Sequence, residues 1–106
     1  MPALPVLTPE DRAAALEKAK AARARRSEVK HLLKQGTTTI PAILKDAATD
    51  GTLAKMKVSA LVEAMPGVGK TRRIQIMERL GIAENRRVRG LGPNQREALE
   101  LEFATA

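Results

Sequence analysis

Cysteine is absent from these 106 residues, which excludes disulfides and thiolate-held metals and fits a reducing compartment. Trp and Tyr are absent too, and Phe103 is the one aromatic residue, so the stacking platforms that grip splayed-out bases are missing. One histidine, His31, leaves no cluster for zinc and no catalytic triad. No apolar run approaches the ~18 residues of a membrane span, so no membrane partner is expected. Met1-Pro2-Ala3-Leu4-Pro5 lacks the basic-then-apolar order of a signal peptide, and a cytoplasmic location is expected. No Asp follows Asp50, and Glu97, Glu100 and Glu102 read as an exposed acidic stripe rather than an acid/base pair. The expectation is a non-enzyme with no catalytic residue, no cofactor and no metal.

Positive charge is what the chain has in excess. Lys and Arg number 19 against 12 Asp and Glu, a net charge of +7. Such a balance favours polyanions, nucleic acid first and acidic membrane surface second. The length allows one domain with a modest core. With the stacking platforms missing, double-stranded nucleic acid is the favoured partner.

Thr8-Pro9-Glu10-Asp11 predicts a helix start, with Thr8 as N-cap, Pro9 at the first helical position and acids in the first turn. Good helix formers continue to about Lys34, and Gly36 stops them. Between Arg12 and Glu28 the only large apolar residue is Leu16, and alanines fill most of the rest. Only Val29, Leu32 and Leu33 look able to anchor this helix. At about 100° per residue, Arg23, Arg26, Lys30 and Lys34 share one face. Residues 1–36 therefore read as a basic N-terminal arm with a barely buried first half. The plainer reading is a solvated Ala-rich helix, but four turns without core residues gain little unless something covers them. A membrane-surface helix would need Leu or Trp opposite the basic face, and alanine supplies neither. His31, where the arm meets the core, reads as a surface or half-buried residue.

Residues 37–106 form the expected core. Ile40 to Ala48 predicts a short helix burying Ile43 and Leu44, and Thr52 to Met56 a further turn. Val58 to Met65 predicts a helix burying Leu61 with Val62 or Met65. Lys70 to Leu80 predicts another, with Ile74, Met77 and Leu80 inward, Ile76 beside them and Gly81 at its end. Pro93 opens a last helix that buries Leu99 and Phe103. Strand-like alternation occurs nowhere, so the fold class is all-α with about five helices.

The sharpest motif is Met65-Pro66-Gly67-Val68-Gly69-Lys70, a turn between two helical patterns. Its two glycines can take positive φ, and the amides at the start of the following helix face whatever docks there. Ala64 to Thr71 nearly matches the phosphate loop of nucleotide triphosphatases, G-x-x-x-x-G-K-[ST], but that loop follows a buried strand, and here a helix precedes. From Lys70 to Arg96 there are eight basic residues against two acids, which a turn between two core helices does not need. A second cluster, Arg86-Arg87-Val88-Arg89-Gly90-Leu91-Gly92, again leads arginines into a glycine turn before a helix; the plain reading is a solvated basic loop.

The first turn resembles the helix-hairpin-helix motif of DNA repair and replication proteins, whose hairpin amides hold the duplex backbone from the minor-groove side. By that likeness Gly67, Val68, Gly69 and Lys70 would hold phosphates. The motif usually has a small residue four positions after its second glycine, where this chain has Arg73. Either the two helices splay, or Arg73 reaches the surface and adds a phosphate contact. A helix pair with two such turns also resembles the helix–two-turn–helix of a ribosomal small-subunit protein and of some DNA glycosylases.

Over nearly its whole length the chain resembles the actinobacterial type of integration host factor. The resemblance rests on the Ala- and Arg-rich helix, Met56-Lys57-Val58-Ser59-Ala60-Leu61, the Pro66–Lys70 hairpin, Ile76-Met77 and Arg86 to Gln95, in that order. It implies a small helical nucleoid-associated protein, a monomer in isolation, that bends or compacts double-stranded DNA with little sequence preference. It also implies support for site-specific recombination, with a recombinase as partner at recombination sites, and chromosome organisation. The expected DNA-binding residues are Arg23, Arg26, Lys30, Lys34, Pro66, Gly67, Val68, Gly69, Lys70, Arg72, Arg73, Arg86, Arg87, Arg89 and Gly90, with the arm and the hairpin as two separated contact surfaces. A ribosomal or other structured-RNA-binding protein is the alternative, since it would share the turns and the charge.

Overall fold

In the computed structural model, which describes residues 8–104, Thr8 opens the first helix by a reciprocal cap. Its hydroxyl accepts from the Asp11 amide at 3.1 Å, and its own amide donates to the Asp11 carboxylate at 3.1 Å. Met1 to Pro5, read above for targeting, lie outside the described residues. The helix, α1, runs Pro9–Lys34. It ends where Gly36 takes φ +74°, with Gly36 N bonded to Leu33 O at 3.1 Å and Thr37 N to Leu32 O at 2.9 Å. That paired closure satisfies carbonyls a helix end otherwise leaves open.

There follow α2 (Ile40–Asp46), α3 (Gly51–Ala54), α4 (Val58–Ala64), α5 (Lys70–Leu80), a 3-10 turn at Val88–Gly90 and α6 (Pro93–Glu102). Among the described residues there is no strand, only one isolated antiparallel bridge between Lys57 and Arg87. A helix, α4, precedes the hairpin, so the phosphate-loop reading fails on its structural requirement.

One hydrophobic cluster holds these elements. Val29 and Leu33 bring the end of α1 into it, joining Leu44, Leu53, Leu61, Val62, Met77 and Leu99 from the other helices. Burying each such side chain contributes about 1.5–3 kcal/mol. No residue of α1 before Val29 is buried, and Leu16 is 68% exposed. The chain is correspondingly long in one direction, 53 Å against 32 and 26 Å. Leu32, expected as a third anchor, is only half-buried, as is Phe103.

One register expectation is corrected. On α5 the inward face is Arg73, Ile76 and Met77, with Leu80 half-buried, which is the i, i+3, i+4, i+7 stripe of a helix lying on a core. Ile74 lies outside that stripe and is 40% exposed. Reading apolar residues alone rotated the face, because the stripe begins with an arginine.

Candidate nucleic-acid interface

The hairpin between α4 and α5 is a type II turn. Val68 N donates to Met65 O at 3.1 Å across Pro66 and Gly67, and Gly67 has the positive φ, +76°, that the third position of such a turn requires. Only one of the two hairpin glycines uses that freedom, since Gly69 is extended at φ −93°. Gly69 serves as the N-cap of α5 and has no side chain to bond its amides. The first helical bond is Arg73 N to Gly69 O at 2.9 Å, so the amides of Lys70, Thr71 and Arg72 precede the ladder. A Cβ built on Gly67 or Gly69 meets nothing within 4 Å, so a ligand backbone has room to approach. Open amides, the positive end of a helix dipole and bare backbone together suit an anion.

Opposite this turn lies the end of α1. Lys30, His31 and Lys34 share a cleft of 580 Å³ with Ala60, Glu63 and the hairpin from Met65 to Gly69. A second cleft of 390 Å³ is lined by Arg26, Lys30, Met56, Lys57, Ala60 and Arg87. Lys30 and Ala60 belong to both. The arm's end, the hairpin and Arg87 therefore form one continuous face, which corrects the expectation of two separated surfaces. Helical spacing misses this because it gives directions around an axis and not where the axis lies.

The arginine loop is fastened from behind. Val88 is buried, its amide donates to Met56 O at 2.9 Å, and Val58 N donates to Arg86 O at 2.9 Å. Arg86 Nη1 donates to Gly90 O at 3.1 Å, and Arg87 Nη1 donates to Lys55 O. Each guanidinium has five N–H groups, so one internal bond leaves the rest for a ligand. Gly90 keeps a negative φ, with the Arg86 side chain folded across it. Arg89 is exposed and makes no internal hydrogen bond or ion pair among the described residues. Arg23, Lys70 and Arg72 are exposed but line neither cleft, Arg23 lying two turns further out on the face of Lys30.

Arg73 does not reach the surface, contrary to its expected role as a phosphate contact. It is 9% exposed, with Nη1 bonded to Glu84 and Nε 3.5 Å from the Glu63 carboxylate. Its Nε is buried without a hydrogen-bond partner. The guanidinium thus links α4, α5 and the segment leading to the arginine loop, and does so where the motif usually has a small residue. A charge buried this way needs both carboxylates, because desolvation is costly.

Two further ion pairs join elements of the fold. Arg25 Nε bonds Asp50 at 3.2 Å, and Asp50 caps α3 through the amides of Thr52 at 3.0 Å and Leu53 at 3.4 Å. Burial alone would push the Asp50 carboxyl up, but the Arg25 bond, both amides and the Arg25 charge hold it below its ordinary value. Arg79 pairs with Glu102 across α5 and α6. The Arg79 bond lowers the Glu102 carboxyl against its partial burial, helped by the charges of Arg79 and Arg72. Of the acidic stripe, Glu100 is thus tied to Arg96 at 3.1 Å and Glu102 to Arg79, leaving Glu97 exposed.

Among the polar lining residues, sequence reasoning missed Lys57, His31 and Glu63. Lys57 reaches the face through its bridge to Arg87, a pairing 30 positions away that no local pattern announces.

Residues 33–103 match the S13-like H2TH domain. The chain is 59% identical to the integration host factor of Streptomyces coelicolor over 103 residues, 97% of this chain and 96% of that one. It is 58% identical to the integration host factor of Mycobacterium tuberculosis over 104 residues, 98% of this chain and 99% of that one. The chain belongs to the integration host factor family. A solved structure described as sIHF bound to an 8bp palindromic DNA superposes with a TM-score of 0.80 at 56% identity, covering 83% of this chain and 99% of that chain. The all-α fold of this integration host factor family member agrees with that relative. The domain match starts at Leu33, inside α1, whose last turns already belong to the core.

Proposed function

We propose that this chain binds double-stranded DNA through the continuous face described above and acts as an architectural protein of the nucleoid. The observation that carries the reading is convergence: Arg26, Lys30, Lys34, Lys57 and Arg87 meet open hairpin amides around two joined clefts. Contacts of this kind reach phosphates, not base edges, so binding tolerates sequence. The DNA-bound relative supports the same partner.

Arg23, further out on α1, together with Lys70, Arg72, Arg86, Arg89 and Gly90 around the rim, extends the footprint beyond the clefts. Contacts spread this way favour a bent duplex, because they offset a bending cost of about a few kcal/mol. Bending and compaction, support of recombination beside a recombinase, chromosome organisation and action as a monomer complete the proposal. The test is a titration of one 20-base-pair sequence as DNA and as RNA across a salt series. DNA is expected to bind more tightly, with log K falling against log salt at a slope of about −4.5 for the cations around the clefts, about one phosphate each. A slope near zero overturns the reading, and preference for the RNA duplex assigns structured RNA as the partner.

A further inference from the structure

His31, the one histidine of the chain, lines the first cleft, and the binding reading leaves it without a task; histidine is the side-chain type that ordinarily gains charge as pH falls toward 5. It is exposed, beside Lys30 and Lys34 and across the cleft from the hairpin at Gly67 to Gly69. We infer that His31 is a proton-dependent phosphate contact, so that this chain holds duplex DNA more tightly as pH falls. The inference rests on the duplex-binding reading.

In the cleft, Lys30 and Lys34 come from α1 and Glu63 from α4, while the hairpin from Met65 to Gly69 brings none; one turn back on α1, Glu28 lies three positions from His31 and is paired with Arg25 at 2.7 Å. The two lysines oppose a third positive charge while the cleft is empty. A phosphate removes that opposition, so proton uptake and DNA binding assist one another. Glu63 is the competing anion, but its carboxylate lies 3.5 Å from the Arg73 guanidinium, which already partners it.

The experiment measures anisotropy of a labelled 20-base-pair duplex against the full chain, at constant ionic strength, near pH 5.5 and pH 8. The chain is expected to bind about two- to fivefold more tightly at the lower pH, the scale of one exposed ion pair. Its salt slope is expected to steepen by about 0.9 there, as for one added phosphate. His31→Gln is expected to lose the response to pH, binding with the same affinity at pH 5.5 and pH 8. Calorimetry in two buffers of different ionisation enthalpy should show proton uptake by the unsubstituted chain and none by His31→Gln. A His31→Gln chain that responds to pH like the parent overturns the inference, as does a parent with no response. Binding without a pH response leaves the duplex reading standing, whereas absence of binding at both pH values ends both.

Discussion

The two turns that flank α5 look alike in sequence, glycines next to basic residues and leading into a helix, yet they are built differently. The hairpin at Met65–Gly69 offers backbone: a left-handed Gly67, an N-cap without a side chain and amides open to the cleft. The loop at Arg86–Gly90 offers side chains, and its backbone is committed to Met56 and Val58 and pinned by buried Val88. Glycine has a conformational task in the first turn and none in the second. Charge has a local task in the second, where the hairpin itself has no charged residue before Lys70. The face needs both, since amides set where a phosphate sits and guanidinium groups add range and strength.

The largest expected difference between the turns comes from adding one methyl group to each. Gly67→Ala places a side chain in a left-handed residue and should cost about 1–2 kcal/mol, read as a lower urea midpoint. Gly90→Ala should cost less, because Gly90 has no positive φ and its Cβ meets only the Arg86 side chain, at 3.2 Å from Cδ, which can shift by a few tenths of an ångström. Equal costs at the two positions would erase the distinction.

A smaller effect sharpens the contrast from the other side. Arg89→Ala should leave stability within about 0.5 kcal/mol, as surface substitutions do. It should flatten the salt slope of duplex binding by about 0.9, the share of one phosphate. An unchanged slope would remove Arg89 from the face.

The smallest effect concerns the supports away from both turns. Asp50 and Glu102 are held below their ordinary values of 3.8 and 4.5, so the stability they contribute is present above those values and lost as pH falls through the lower folded ones. Thermal unfolding should therefore be flat from pH 7 to about pH 5 and decline only below that. A decline that starts near pH 6 would mean that other groups govern the acid limb.

Much of this was readable in the chain, for reasons that are local. Thr8 and Pro9 announced the start of α1, Gly36 and Gly81 its end and that of α5, and Pro66-Gly67 the hairpin, because each is a constraint on one or two backbone angles. The bare first half of α1 followed from its lack of large apolar residues. What stayed hidden depends on partners distant in sequence. Arg73 looked like a surface cation because its position was judged by type, whereas Glu63 and Glu84 make an inward guanidinium tolerable. Ile74 was misplaced by the same oversight. The joining of arm, hairpin and arginine loop depends on how α1 packs on α3 and α4 and on the Lys57–Arg87 bridge, and neither leaves a periodic trace.

Everything functional here depends on that joining. Backbone amide NMR shifts, followed while a 20-base-pair duplex is added, test it most directly. The account predicts perturbations at Arg26 to Lys34, at Met65 to Arg72 and at Arg86 to Gly90, saturating together, with Glu97 to Leu101 undisturbed. Shifts that gather on α6, or that saturate at different duplex concentrations for α1 and the hairpin, would contradict it.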